Sequence, residues 1–286
     1  MLVDALKAEG YRFSLNRVLV FISVLLTPIL FAIGGVVFHW VTKTNGDKAA
    51  QAANLPLSLP SEAVNLGDAF GFAAANCANG FVLISVLIAA ATLYAGDYRW
   101  ETWRLISARN DRVSLILAKV GTVKIIAIIG SLFFLLASFI FMLAQAAVYQ
   151  RGLSFSVPVG DLGGIALTWL LSYIRIVQFS LIALLAAVMT RSLLAALIVP
   201  WALGFIQSLF GQIAPALLGM EPGGWTLQLL LPGLAYDTLK AALEGPLEPP
   251  MTVAVVWKAG ISLALWTLAP LAGALVWFKR QDLSKE

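Results

Sequence analysis

Residues 163–218 read GGIALTWLLSYIRIVQFSLIALLAAVMTRSLLAALIVPWALGFIQSLFGQIAPALL, two apolar runs (163–189 and 193–218) parted only by Thr190, Arg191 and Ser192. A bilayer core is roughly 30 Å thick and takes ~20 apolar helical residues to cross. Within it each backbone N–H and C=O must be satisfied inside its own segment, so both runs are predicted as helices. A three-residue link forces them into a tight antiparallel hairpin. Neither run carries an acid, and the first holds a single cation, Arg175.

Working outward from this hairpin, four more runs read as spans, at about 18–40, 70–95, 120–148 and 252–278. The expected architecture is an all-α integral membrane protein with six transmembrane helices, forming a single transmembrane domain over 1–286. Composition agrees. Of 286 residues, 60% are hydrophobic and only 12% charged, where a soluble domain carries about 25% charged residues. Residues 1–17 precede the first span and are modestly amphipathic. Leu2, Val3, Leu6 and Phe13 share one side of a helical wheel and Asp4, Lys7, Glu9 and Arg12 largely the other, which predicts an interfacial helix. Pro28 is placed to kink the first span. Ala50-Gln51-Ala52 fits a small-x-small cleavage site. The apolar run before it is longer than a signal h-region and ends well short of that site, so it is read as a span.

Two connections are long. Residues 41–69 carry Pro56 and Pro60, and 219–251 carry a series of prolines and glycines around two short stretches, 225–231 and 236–243, that could be helical. Lys and Arg decide the orientation. Thirteen fall on one side: Lys7, Arg12, Arg17, Arg99, Arg104, Arg109, Arg112, Lys119, Lys124, Arg191, Lys279, Arg280 and Lys285. Four fall on the other: Lys43, Lys48, Arg151 and Lys240. Arg175 and Lys258 lie within spans. Both termini are therefore expected in the cytoplasm, with both long connections outside. The net charge of +4 follows from this topology and does not indicate nucleic acid.

Several chemistries have no residues to carry them. All fifteen acids fall in loops, tails or span ends in this reading, whereas proton- or sodium-coupled carriers generally use intramembrane carboxylates. The one histidine, His39, beside Trp40 at a span end, reads as an interfacial residue; there is no HExxH pair and no metal site is predicted. The one cysteine, Cys77, between Asn76 and Asn79 in the second span, excludes an intramolecular disulfide and reads as a small residue at a helix contact. No Walker A pattern occurs, and no catalytic residue is assigned.

The connection between the second and third spans, 97–112, is unlike an ordinary loop. It reads Asp97-Tyr98-Arg99-Trp100-Glu101-Thr102-Trp103-Arg104, continues through Arg109, Asp111 and Arg112, and carries two tryptophans and charges of both signs at helix-compatible spacing. Glu101 and Arg104 can pair at i,i+3, and Trp100 and Trp103 could face the headgroup layer together. The segment suits either a structured helix–turn that contacts a partner or a plain interfacial anchor.

This stretch resembles the region joining the second and third spans of ABC-2 type transporter permeases. Asp97, Thr102, Arg104, Leu105-Ile106, Arg112 and Lys119 stand in the places of that family's acidic residue, threonine, arginine, aliphatic pair, later arginine and lysine. Two positions depart: Glu101 stands where glycine is frequent, and Asn110-Asp111 replaces a common proline. The layout is similar throughout, down to the ending Phe278-Lys279-Arg280-Gln281-Asp282-Leu283. The resemblance implies the membrane subunit of an ATP-driven exporter in the bacterial inner membrane. It would form the pathway with a second permease subunit, identical or not, within membrane lipid. It would also couple through Glu101, Thr102, Arg104, Arg109 and Arg112 to a separate ATPase subunit, which would hold the ATP and magnesium. Two other readings compete: a membrane-embedded enzyme acting on a lipid, and a non-transporting assembly or sensory subunit.

Arg175, near the middle of its span, has no acid in any span to pair with. Its candidate polar neighbours are Ser172, Gln178, Asn76, Asn79, Gln207 and Gln212. Together they could act as hydrogen-bonding glue between helices, or they could line a pathway that attracts an anionic or polar group.

Overall fold

The structure, a computed structural model, describes residues 2–52, 62–107, 111–221, 223–244 and 252–282, with the side chains of 49–51, 104, 105 and 232 left out. It is almost wholly helical. Six helical stretches are long and apolar enough to cross a membrane: Arg17–Lys48, Gly80–Arg99, Arg112–Tyr149, Val159–Thr190, Leu193–Leu218 and Val253–Arg280.

In chain order the helices are α1 (Leu2–Leu15), α2 (Arg17–Val20) running through a π-helical stretch at Phe21–Leu26 into α3 (Thr27–Ala52), α4 (Asp68–Asn76), α5 (Gly80–Arg99), α6 (Trp103–Ser107), α7 (Arg112–Tyr149), α8 (Val159–Thr190), α9 (Leu193–Leu218), α10 (Trp225–Leu230), α11 (Pro232–Glu244) and α12 (Val253–Arg280). The π stretch accounts for Pro28. A helical proline lacks an N–H and its ring crowds the carbonyl four residues back. That carbonyl belongs to Val24, inside the widened turn. The strain is absorbed as a π-bulge, where the sequence suggested only a kink.

The α8–α9 hairpin forms as its spacing requires. Arg191 takes a left-handed conformation (φ 56°) to close α8, and the Ser192 side chain accepts the Ala195 N–H to open α9. The most apolar window of α8 is 78% buried and that of α5 67%, against 17% for α9, so α5 and α8 form the centre of the bundle. The two helices pack together, and both carry small buried residues. Ala89, Ala90 and Ala91 of α5 and Ala183 and Ala187 of α8 are almost wholly buried, which lets backbones approach closely where burial from water provides no driving force. Around this pair, α3 packs on α7, α12 on α8, and α1 on α7.

The second span departs from expectation. It is two helices, broken at Cys77-Ala78-Asn79. Asn79 has an extended backbone, and its side chain accepts the N–H groups of Phe81 and Val82, restarting the chain as α5. α5 also runs on past residue 95 and so contains Asp97. The third helix begins at Arg112, eight residues before its predicted start, and its 38 residues would extend about 57 Å at ~1.5 Å per residue, well beyond a bilayer core. His39 is not at a helix end. It is buried in α3 against Phe141, with ring centroids 4.5 Å apart.

α1 and the carboxyl end of α12 lie at one end of the bundle, where Arg12 of α1 bonds Asp97 and Tyr98 bonds Gln281 just after α12. At the far end, Val64–Asn65 pairs in parallel with Leu153–Ser154, tying two connections together. Gly67 is needed there, since a Cβ would sit 2.1 Å from the Ser156 carbonyl oxygen. α10 and α11 do not stay at that end. α11 folds back between the long helices and packs against α8, α9 and α12.

Candidate functional site

Two polar constellations stand out, one at the terminal end and one at mid-bundle. The first is built on Asp97, whose side chain is 1% exposed. Its carboxylate accepts from Thr102 Oγ1 at 2.5 Å and Arg12 Nη2 at 3.0 Å, and pairs with Lys119 Nζ at 2.5 Å. Lys119, itself 2% exposed, also reaches Glu9 Oε1 at 3.2 Å and donates to the Leu93 carbonyl at 2.9 Å. Arg12 closes the circuit to Glu9 at 3.1 Å. Two acids and two cations from α1, α5 and α7 thus neutralise one another. Glu9 faces inward, not to the polar side that the helical wheel gave it, because the buried Lys119 ammonium draws it in.

Above this network the chain makes a tight turn. α5 ends at Arg99, Glu101 takes φ 53°, and α6 begins at Trp103. The two tryptophans diverge. Trp100 is 71% exposed, while Trp103 is buried, its ring 4.6 Å from that of Phe278 and 5.3 Å from the Lys119 ammonium. They do not face the headgroup layer together, because the left-handed residue between them reverses the chain. Thr102 points inward onto Asp97. Arg112 donates to the Phe278, Lys279 and Gln281 carbonyls, capping the carboxyl end of α12 with a cation, as the helix dipole favours. Asp111 caps α7, and acceptance of the Ser114 backbone N–H holds its carboxyl below the usual range. Arg109 and the Arg104 side chain, with the proposed Glu101–Arg104 pair, lie outside the described residues. Of the five residues assigned to coupling, Glu101 is exposed, Thr102 ties the turn to Asp97 of α5, and Arg112 ties the start of α7 to the end of α12.

The second constellation surrounds Arg175, about 24 Å along α8 at ~1.5 Å per residue. It does have an acidic partner: Nη1 donates to Asp237 Oδ1 at 2.9 Å, and the guanidinium stacks 4.2 Å from the Tyr236 ring centroid. Both partners come from α11, in a stretch that reads as external loop, so no comparison among spans could find them. Tyr236 shares a 2.9 Å hydrogen bond with Ser172, and Lys240 donates to the Ala75 carbonyl at 2.9 Å, placing a cation at the carboxyl end of α4. A cavity of about 290 Å³ between α8, α9 and α11 is lined by Arg175, Gln207, Ser208, Gln212, Gly233 and Asp237, among others. Gln207 and Gln212 therefore join Arg175. Asn76 and Asn79 do not: Asn76 bonds back to the Phe72 carbonyl and Asn79 caps α5. Buried Gln178 has no hydrogen-bond partner for its amide among the described residues.

Comparison of the chain with protein-family models, with curated proteins and with solved structures gives no match.

Proposed function

We propose that this chain is the membrane subunit of an ATP-driven exporter of the ABC-2 type, working with a second permease subunit and separate ATPase subunits. In this reading it resides in the bacterial inner membrane with both termini in the cytoplasm. The turn at 99–103 carries the reading. It presents Trp100 and Glu101 outward while the next two residues, Thr102 and Trp103, plug into the Asp97–Lys119 network. A push on this turn reaches α1, α5, α7 and α12 together through hydrogen bonds, ion pairs and ring contacts. A device that couples an external engine to the spans needs a contact point whose displacement changes the balance between two states of the bundle. One detail adds support. Glu101 stands where glycine is frequent in that family, and its φ of 53° is the conformation glycine takes without steric cost.

The test is copurification. A tagged chain extracted from its own host membrane in mild detergent should bring down a soluble nucleotide-binding chain, identified by mass spectrometry. The complex should hydrolyse ATP, and Trp100→Ala with Glu101→Ala should uncouple that hydrolysis at unchanged membrane abundance. Repeated isolation without any nucleotide-binding chain would defeat the proposal.

A further inference from the structure

Arg175 stands at the junction of two chambers. The polar one is the 290 Å³ cavity described above. The other, about 190 Å³, shares Arg175 and Gly204 with it and is walled by apolar side chains that include Leu83, Ile84, Leu87, Phe179, Trp201 and Phe205. We propose that the two chambers form one binding site for an anionic amphiphile, with an oxyanion head of the phosphate class on Arg175 and Gln207 and an apolar tail against Trp201 and Phe205. The inference concerns binding to this chain alone and stands whether or not the chain is an exporter.

Unsatisfied donors define the head position. Gln207 is 5% exposed, and its Oε1 accepts the Gly233 N–H at 3.0 Å. An amide N–H can donate only to oxygen here, so the carboxamide cannot be flipped. Its Nε2 is thereby turned away from Gly233, buried and without a partner among the described residues; Arg175 Nε is likewise buried and unpartnered. Buried donors demand acceptors, and an amide nitrogen beside a guanidinium whose own Nε is unpartnered calls for an anionic oxygen. Asp237 supplies only part of this, through one oxygen on Nη1, and its side chain is 63% exposed. It is a resident counter-ion that an incoming head can replace. Gly233 keeps the backbone close: a Cβ there would lie 2.7 Å from Gln207 Oε1.

The experiment uses the full chain in phosphatidylcholine nanodiscs, titrated with octyl phosphate and read by thermophoresis. Octyl phosphate should bind saturably. Octyl glucoside, which lacks the charge, and inorganic phosphate, which lacks the tail, should each bind at least about tenfold more weakly. Arg175→Gln should weaken octyl phosphate by about tenfold or more, the scale of a charge-assisted hydrogen bond. Asp237→Asn, which keeps the side chain's size but removes the competing carboxylate, should tighten it severalfold. Adding phosphatidylglycerol to the discs separates sources. Competition with octyl phosphate assigns the site to a bilayer lipid, and its absence assigns the site to a single-chain solute. Equal binding of inorganic phosphate, or weaker binding by Asp237→Asn, would overturn the proposal.

Discussion

Lys119 holds Asp97 at 2.5 Å with both side chains at most 2% exposed, so this ion pair joining α5 to α7 is wholly enclosed. Lys119→Met should lower unfolding stability in detergent by about 3–5 kcal/mol, because it strands a buried carboxylate. Lys119→Met combined with Asp97→Asn should recover much of that loss, since Glu9 and Arg12 still neutralise each other. Additive losses in the double-mutant cycle would show that the two residues do not act as a unit.

Glu101 is a non-glycine residue in the left-handed region, a conformation that costs an L-residue roughly 1–2 kcal/mol. Glu101→Gly should therefore raise the thermal midpoint slightly or leave it unchanged, against the entropy of added glycine. Glu101→Val, branched at Cβ, should lower it by about 1 kcal/mol or more in free energy. A valine variant as stable as the glycine variant would contradict the turn geometry.

Asn79 and Asn76 stand three residues apart with different tasks. Asn79 caps α5 through two N–H groups, while Asn76 bonds only its own helix. Asn79→Ala should cost about 0.5–2 kcal/mol, and Asn76→Ala distinctly less. Unfolding curves of the two variants side by side decide it, and a reversed order would remove the break from the second span.

Orientation is open to chemical labelling. In a Cys77→Ser background, cysteines at Asn45 and Glu244 should react with an impermeant thiol reagent in intact cells, and one at Glu101 should be protected. The opposite pattern would turn the bundle over.

How much of this was legible in the residues differs from element to element. The hairpin at Thr190-Arg191-Ser192 was plain because two apolar runs of membrane length leave the link no alternative. The break in the second span was hidden, since Asn79 reads equally as a cap or as a polar contact between spans, and alanines on either side keep the run apolar. The depth of Asp97 was hidden for a related reason: apolar content stops near Ala95, but a helix continues wherever a buried cation can receive an acid. The largest gap was at Arg175. Its partner Asp237 lies 62 residues away in a proline- and glycine-bounded segment that reads as loop. The helix-compatible stretch at 236–243 was the available signal, and the high cost of an unpaired intramembrane arginine is the argument that could have drawn it inward.

The clamp on α1 has a consequence for how the protein is made. Arg12 emerges from the ribosome 85 residues before Asp97, an interval of roughly 4–17 s at ~5–20 residues per second, and Lys119 follows later still. Until then Glu9 and Arg12 have no buried counterpart and must wait at the aqueous boundary. α1 therefore completes its docking only after Lys119 has been made, and its docking signals that the third long helix has been inserted in register.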